Sequence, residues 1–261
     1  MERHRGIQAG DPSAPNHILW IHGYTGSPDA FAGIAQRLSE ELNAFVSVPL
    51  LPGHGTEEQH LVGHSFDDYL ASARHFAAHT AERGKPFAIV GYSFGSFIAL
   101  LLTHEFQPRA LALALPPYRL RFPFYLPAVS WLLSQRPFWH KFMTAEDLAA
   151  RKGTFYYPDF PGKTISFTKI GKSKTDDILP QITCPILTLN TVDDPLVVPE
   201  SGKELLERSG HNAQNESHIL PHGRHALFFP PHHDDEQTIL ISFLKKRFQK
   251  ETAAVQEHRG D

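Results

Sequence analysis

Six short apolar runs, each bounded by turn residues, mark the chain at His17–Ile21, Ala44–Val48, Phe87–Val90, Ala110–Leu115, Pro185–Asn190 and Ser217–Leu220. Each has the length of a strand buried on both faces. Between them the apolar period changes to that of a helix. Phe31, Ile34, Ala35, Leu38 and Leu42 stand at i, i+3, i+4, i+7 and i+11, and Tyr69, Leu70, Ala73, Phe76, Ala77 and Thr80 repeat the pattern. Phe94 to Phe106 is apolar almost all round, as suits a helix packed on a sheet, and Ile239, Leu240, Phe243, Leu244 and Phe248 predict a closing amphipathic helix. Strands alternating with helices predict an α/β fold with a doubly wound, mostly parallel sheet.

The alternation stops between Pro116 and Pro180. That stretch holds Tyr118, Phe122, Phe124, Tyr125, Trp131, Phe138, Trp139, Phe142, Phe155, Tyr156, Tyr157, Phe160 and Phe167, with prolines that break any long helix. It reads as a small cap, residues 116–180, inserted into a core of residues 1–115 and 181–250. The polar stretch 251–261 reads as a frayed tail. Aromatics over a site favour an apolar ligand; equally, they serve to glue an insert to the sheet.

Composition narrows the class. At 261 residues the chain suits a single core with an insert. A net charge of −3 supplies no basic field for a polyphosphate backbone, so nucleic acid is not an expected partner. The single cysteine, Cys184, forms no internal disulfide and reads as a small buried hydrophobe, which suits a reducing, cytoplasmic setting. No apolar run is long enough for a membrane span, and Met1 to Pro15 has no apolar core of a secretion signal. His232-His233-Asp234-Asp235 reads as a solvated helix start, so no metal site is expected.

The chemistry concentrates at Gly91-Tyr92-Ser93-Phe94-Gly95, between the strand Phe87–Val90 and a helix. A Gly-x-Ser-x-Gly in that context places a serine at a sharp turn with its hydroxyl exposed, the glycines allowing helix and strand to approach. Ser93 is therefore the candidate nucleophile. His22-Gly23-Tyr24-Thr25-Gly26 leaves the first strand as a glycine-containing loop suited to present backbone N–H groups to an oxyanion. Tyr24 and Phe94 are the candidate donors; a plain tight turn is the other reading of His22-Gly23.

A serine hydroxyl needs a base, and the base needs an acid to orient it. Thr191-Val192-Asp193-Asp194-Pro195 puts two carboxylates at a strand's C-terminal edge, where such sheets carry their sites. Asp194 is preferred to Asp193 from chain direction alone, and both also fit an ordinary acidic turn. Pro221-His222-Gly223-Arg224-His225 follows the last strand, and the 31 residues from Asp194 to His225 leave room for one helix and one strand. His225 is the candidate base, with His222 the competitor. His54, in Pro52-Gly53-His54-Gly55, reads as a turn stabiliser.

These motifs together, with Leu51-Pro52-Gly53-His54-Gly55-Thr56 and Phe66-Asp67-Asp68-Tyr69, resemble the α/β-hydrolases, in particular small-cap bacterial carboxylesterases and monoacylglycerol lipases. The resemblance spans nearly the whole chain except the cap. It implies Asp194 as the acid, because Pro199-Glu200-Ser201 follows it at the family's spacing, and His225, which follows a glycine and one further residue, as the base. It also implies an oxyanion hole from the backbone of Tyr24 and Phe94. The implied activity is cofactor-free hydrolysis of carboxylic esters of small to medium apolar acyl groups through an acyl-enzyme. A thioesterase, a carbon–carbon bond hydrolase or a non-catalytic ligand receptor are the alternatives on the same scaffold.

Overall fold

The structure is a computed structural model that describes residues 5–122, 127–141, 143–229 and 234–257. A seven-stranded sheet runs in the order β1-β3-β2-β4-β5-β8-β9. Its members are β1 (Ile7–Ala9), β2 (Asn16–Ile21), β3 (Ala44–Val48), β4 (Phe87–Tyr92), β5 (Ala110–Ala114), β8 (Ile186–Thr191) and β9 (Glu216–Leu220). All neighbours pair in parallel except β1, which lies antiparallel to β3 at one edge. The six expected strands are present, Ala44–Val48 with its ends unchanged and the others with ends shifted by a residue or two. β1 was not expected: a three-residue edge strand carries too few positions for a period to show.

Alternation along the strands divides the core in two. Ile18 and Trp20 of β2 and Ala88, Val90 and Tyr92 of β4 face one side, under α1 (Ala32–Leu42) and α8 (Asp234–Glu257). Leu19, Ile21, Phe87 and Ile89 face the other, under α2 (Phe66–Glu82), α3 (Gly95–Phe106) and α7 (Ser201–Arg208). Each fully buried Trp, Phe or Leu on these faces contributes about 2–3 kcal/mol. α2 starts at a reciprocal cap, in which Ser65 and Asp68 each bond the other's backbone N–H. α1 and α3 end on left-handed Asn43 and Gln107. One expectation fails at β9: Ser217 and Ile219 are exposed, because β9 is the edge strand and its outer neighbours are missing.

The segment between β5 and β8 forms α4 (Pro127–Ser134), a two-stranded ribbon of β6 (Phe138–His140) and β7 (Asp159–Pro161), α5 (Ala145–Ala150) and α6 (Ser166–Asp176). α6 packs directly on α3: a Cβ at Gly171 would stand 2.5 Å from the Phe97 ring, and Phe167 belongs to the core. α8 continues through Glu257, past residue 250, where the sequence reading ended the core. Phe124, Tyr125, Phe142, His232 and His233 lie outside the described residues. Among the described residues no helix is long and apolar enough to cross a membrane.

Candidate active site

Ser93 follows the last residue of β4 and has φ +50°, a left-handed conformation rare outside glycine. Such a conformation stores about 1–3 kcal/mol that the surroundings must hold. They do so through the Ser93 N–H, which donates to Ala114 O at 2.8 Å, and through Ser96 N–H, which donates to Ser93 O at 2.8 Å. The two motif glycines are required by crowding. A Cβ at Gly95 would lie 2.3 Å from Ile21 O, and one at Gly91 would lie 2.7 Å from Ala99 Cβ and from Ser96 Cα. The turn leaves the Ser93 side chain half-buried at the C-terminal edge of the sheet.

Two loops from neighbouring strands meet it there. Ser93 Oγ lies 2.8 Å from His225 Nε2, and His225 Nδ1–H donates to Asp194 Oδ2 at 2.7 Å. Asp194 is 1% exposed, and its second oxygen accepts from the N–H groups of Leu196 and Val197 at 2.7 and 2.9 Å. Burial alone would raise its carboxyl, but the His225 charge and the bonds from His225, Val197 and Leu196 outweigh this and hold it below the ordinary carboxylate range. Asp193 turns the other way, its Oδ1 accepting from Arg224 N–H at 2.8 Å, so it braces the His225 loop and does not reach the imidazole. His222 is exposed. The His225 carbonyl is itself fixed, by Tyr92 Oη–H at 3.0 Å and Arg151 Nη2 at 2.9 Å.

The loop after β2 is held by two buried imidazoles. His22 Nδ1–H donates to Gly23 O at 2.8 Å, and His22 Nε2 accepts from Leu51 N–H at 3.0 Å. His54 Nδ1–H donates to Pro52 O at 3.0 Å, while Nε2 accepts from Thr25 N–H, also at 3.0 Å. Each ring accepts on one nitrogen and so must stay neutral. Burial pulls His22 down to about 4, and burial together with the neighbouring His22 pulls His54 well below its usual value. His54 thus does more than steady its own turn: it fixes the residue after Tyr24. Tyr157 closes the brace, its N–H donating to Thr25 O at 2.8 Å and its hydroxyl to Gly53 O at 3.0 Å.

Tyr24 and Phe94 stand side by side, their rings edge-to-face at 5.6 Å within a cluster that includes His54, Tyr69 and Phe167. Among the described residues neither backbone N–H is given to a protein acceptor. Of the insert's aromatics, Tyr118, Tyr157 and Phe167 are buried as packing, whereas Phe122 and Trp131 are 55% and 66% exposed. Phe155 and Tyr156 remain half-buried on the stretch that approaches the His225 loop. No group of three or more His, Cys, Asp or Glu among the described residues could hold a metal ion.

Sequence reasoning gave no site role to three residues that reach this site: Tyr157, named only among the insert's aromatics, Arg151, and Lys141, whose Nζ donates to Thr25 Oγ1. All come from the insert, where no period or motif marks them.

Residues 18–238 match the model of the alpha/beta hydrolase family. The chain belongs to that family. Among characterised relatives of this alpha/beta hydrolase, a thermostable monoacylglycerol lipase of Bacillus sp. (strain H-257) is 28% identical over 36% of this chain and 37% of its own length. A 2-succinyl-6-hydroxy-2,4-cyclohexadiene-1-carboxylate synthase of Serratia proteamaculans is 33% identical over 40% of this chain and 38% of its own. The chain therefore matches little more than a third of the length of either. Among solved structures, one of the metagenome-derived lipolytic enzymes LipS and LipT superposes with TM-score 0.76 at 20% identity, over 94% of this chain and 98% of that one. The monoacylglycerol lipase of Paleococcus ferrophilus superposes with TM-score 0.75 at 14% identity, over 95% and 100%.

Proposed function

We propose that this alpha/beta hydrolase is a serine hydrolase that cleaves carboxylic esters of small to medium, mainly apolar acyl groups through an acyl-enzyme. The observation that carries the reading is the unbroken chain of short hydrogen bonds from Asp194 through His225 to Ser93. In the first half-reaction His225 Nε2 takes the Ser93 proton as Oγ attacks the ester carbonyl, and Asp194 stabilises the imidazolium without taking its proton. The N–H groups of Tyr24 and Phe94 receive the developing oxyanion, each contributing about 3–4 kcal/mol at the transition state. His225 then returns the proton to the departing alcohol. Water, activated by the same imidazole, releases the acid in the second half. Support for ester chemistry comes also from the lipase among the relatives. An apolar acyl group is favoured by the aromatic surroundings of Tyr24 and Phe94.

The test is turnover of 4-nitrophenyl acetate, butyrate and longer esters, with organophosphonate labelling read by intact mass. Wild type should turn over and label once. Ser93→Ala should lose roughly 10³-fold or more in kcat and take no label. Wild-type inertness with no adduct would sink the reading.

A further inference from the structure

The insert brings one cation to the candidate oxyanion loop and a second to the backbone carbonyl of His225, and among the described residues neither is in an ion pair. Lys141 Nζ donates to Thr25 Oγ1, which in turn donates to Tyr24 O at 2.5 Å, so the ammonium sits on the candidate oxyanion loop. Arg151 holds the carbonyl of His225, on the base's loop. Both approach one aromatic surface, each 5.7 Å from the Tyr156 ring centre, with Arg151 also over Phe229 at 5.2 Å.

The acids around them are committed elsewhere. Glu146 and Asp147 pair with Arg224, Asp194 with His225, and Asp159 with His140 at 2.6 Å. Asp193 accepts from the Arg224 backbone. Among the described ion pairs none includes Lys141 or Arg151; Asp159 acts on Lys141 only as a nearby charge. Uncompensated like charges on partly buried aromatic ground are costly and are relieved by an anion that binds both. Guanidinium and ammonium groups are also the usual receivers of carboxylate and phosphate oxygens.

We infer that the ester taken by this site carries a fixed negative charge, a carboxylate or a phosphate, received by Lys141 and Arg151 beside the Ser93–His225 pair. The inference rests on the serine-hydrolase reading and deepens it by naming the substrate class. It is consistent with the strain on Lys141 itself, whose ammonium burial and the Arg151 charge pull down to about 7 against the opposing pull of Asp159. An anion at the site would restore its charge.

The experiment compares matched esters. 4-Nitrophenyl hydrogen glutarate against 4-nitrophenyl butyrate places the charge on the acyl side, and 4-acetoxybenzoate against phenyl acetate places it on the alcohol side. In wild type at least one anionic ester should exceed its neutral partner in kcat/KM by tenfold or more, mainly through KM. Lys141→Met and Arg151→Met should each cut that ratio at least tenfold, and Lys141→Arg should keep most of it. Calorimetric titration of glutarate into Ser93→Ala should show binding that Arg151→Met weakens at least tenfold, independently of turnover. The wild-type comparison needs no variant, so a variant that fails to fold does not blunt the test. Both anionic esters at or below their neutral partners, with no glutarate binding, would overturn the inference while leaving the hydrolase reading intact. Loss of all turnover and labelling would instead remove the hydrolase reading, and the glutarate titration would then decide the charge.

Discussion

The strands of the sheet and its elbow, the sharp turn of Gly91 to Gly95, contrast with the insert between β5 and β8. In the sheet the site residues are placed by backbone: a strained serine, glycines with no room for a Cβ, and carboxylate and imidazole at the ends of adjacent strands. In the insert they are placed mainly by long side chains, Lys141, Arg151 and the hydroxyl of Tyr157, reaching across to loops of the core. On the reading proposed above, the sheet builds the acyl-transfer machinery and the insert supplies the groups that would distinguish one ester from another.

The sharpest way to break this contrast lies within the sheet half. Asp194→Asn should lower kcat by roughly 10³- to 10⁴-fold, because the amide no longer holds the required tautomer, while Asp193→Asn should cost less than about tenfold. Steady-state kinetics on 4-nitrophenyl butyrate decide it, and equal losses would void the distinction between the two carboxylates.

Acid should attack the core loops next. Because His22 is neutral when folded, with its value held at about 4, it contributes stability that is complete above the unfolded value of about 6.5 and is lost as the pH falls toward 4. The shift corresponds to a loss on the order of 3 kcal/mol, and His54 adds to it in the same direction. Urea unfolding between pH 7.5 and 4.5 should show this slope, and His22→Asn should flatten it. An undiminished slope in that variant would assign the acid sensitivity elsewhere.

The smallest effect compares one glycine from each half. Gly95→Ala should destabilise by about 2–3 kcal/mol, since its Cβ meets backbone that cannot move aside. Gly153→Ala, with open space around it and φ +84°, should cost only about 1 kcal/mol from its conformation. Thermal unfolding of the pair measures the difference, and an inverted order would mean that the elbow is less crowded than its distances state.

Much of the sheet half was legible in the chain because its signals are local. Short apolar runs and period-3.6 patterns need only neighbouring residues, and Gly91, Ser93 and Gly95 sit within five positions. Chain direction gives Asp194 only a weak preference over Asp193, and the family resemblance strengthens it; the two side chains do part, one to Arg224 and one to His225. The sequence around His54 shows only its own turn, because its second partner, Thr25, lies 29 residues away. The insert's aromatics illustrate the same limit. Tyr118 and Phe167 are buried while Trp131 faces outward, although composition treats them alike.

The amino-acid order by itself therefore determined the strand and helix alternation and the turn that carries Ser93, since steric and hydrophobic period are properties of adjacent positions. Only the tertiary structure decided which charges meet without opposite partners, because an ion's environment is set by groups from every part of the chain that fold against it. Lys141 and Arg151 are ordinary surface cations when read along the sequence. Brought against Thr25 and His225, they become part of the site.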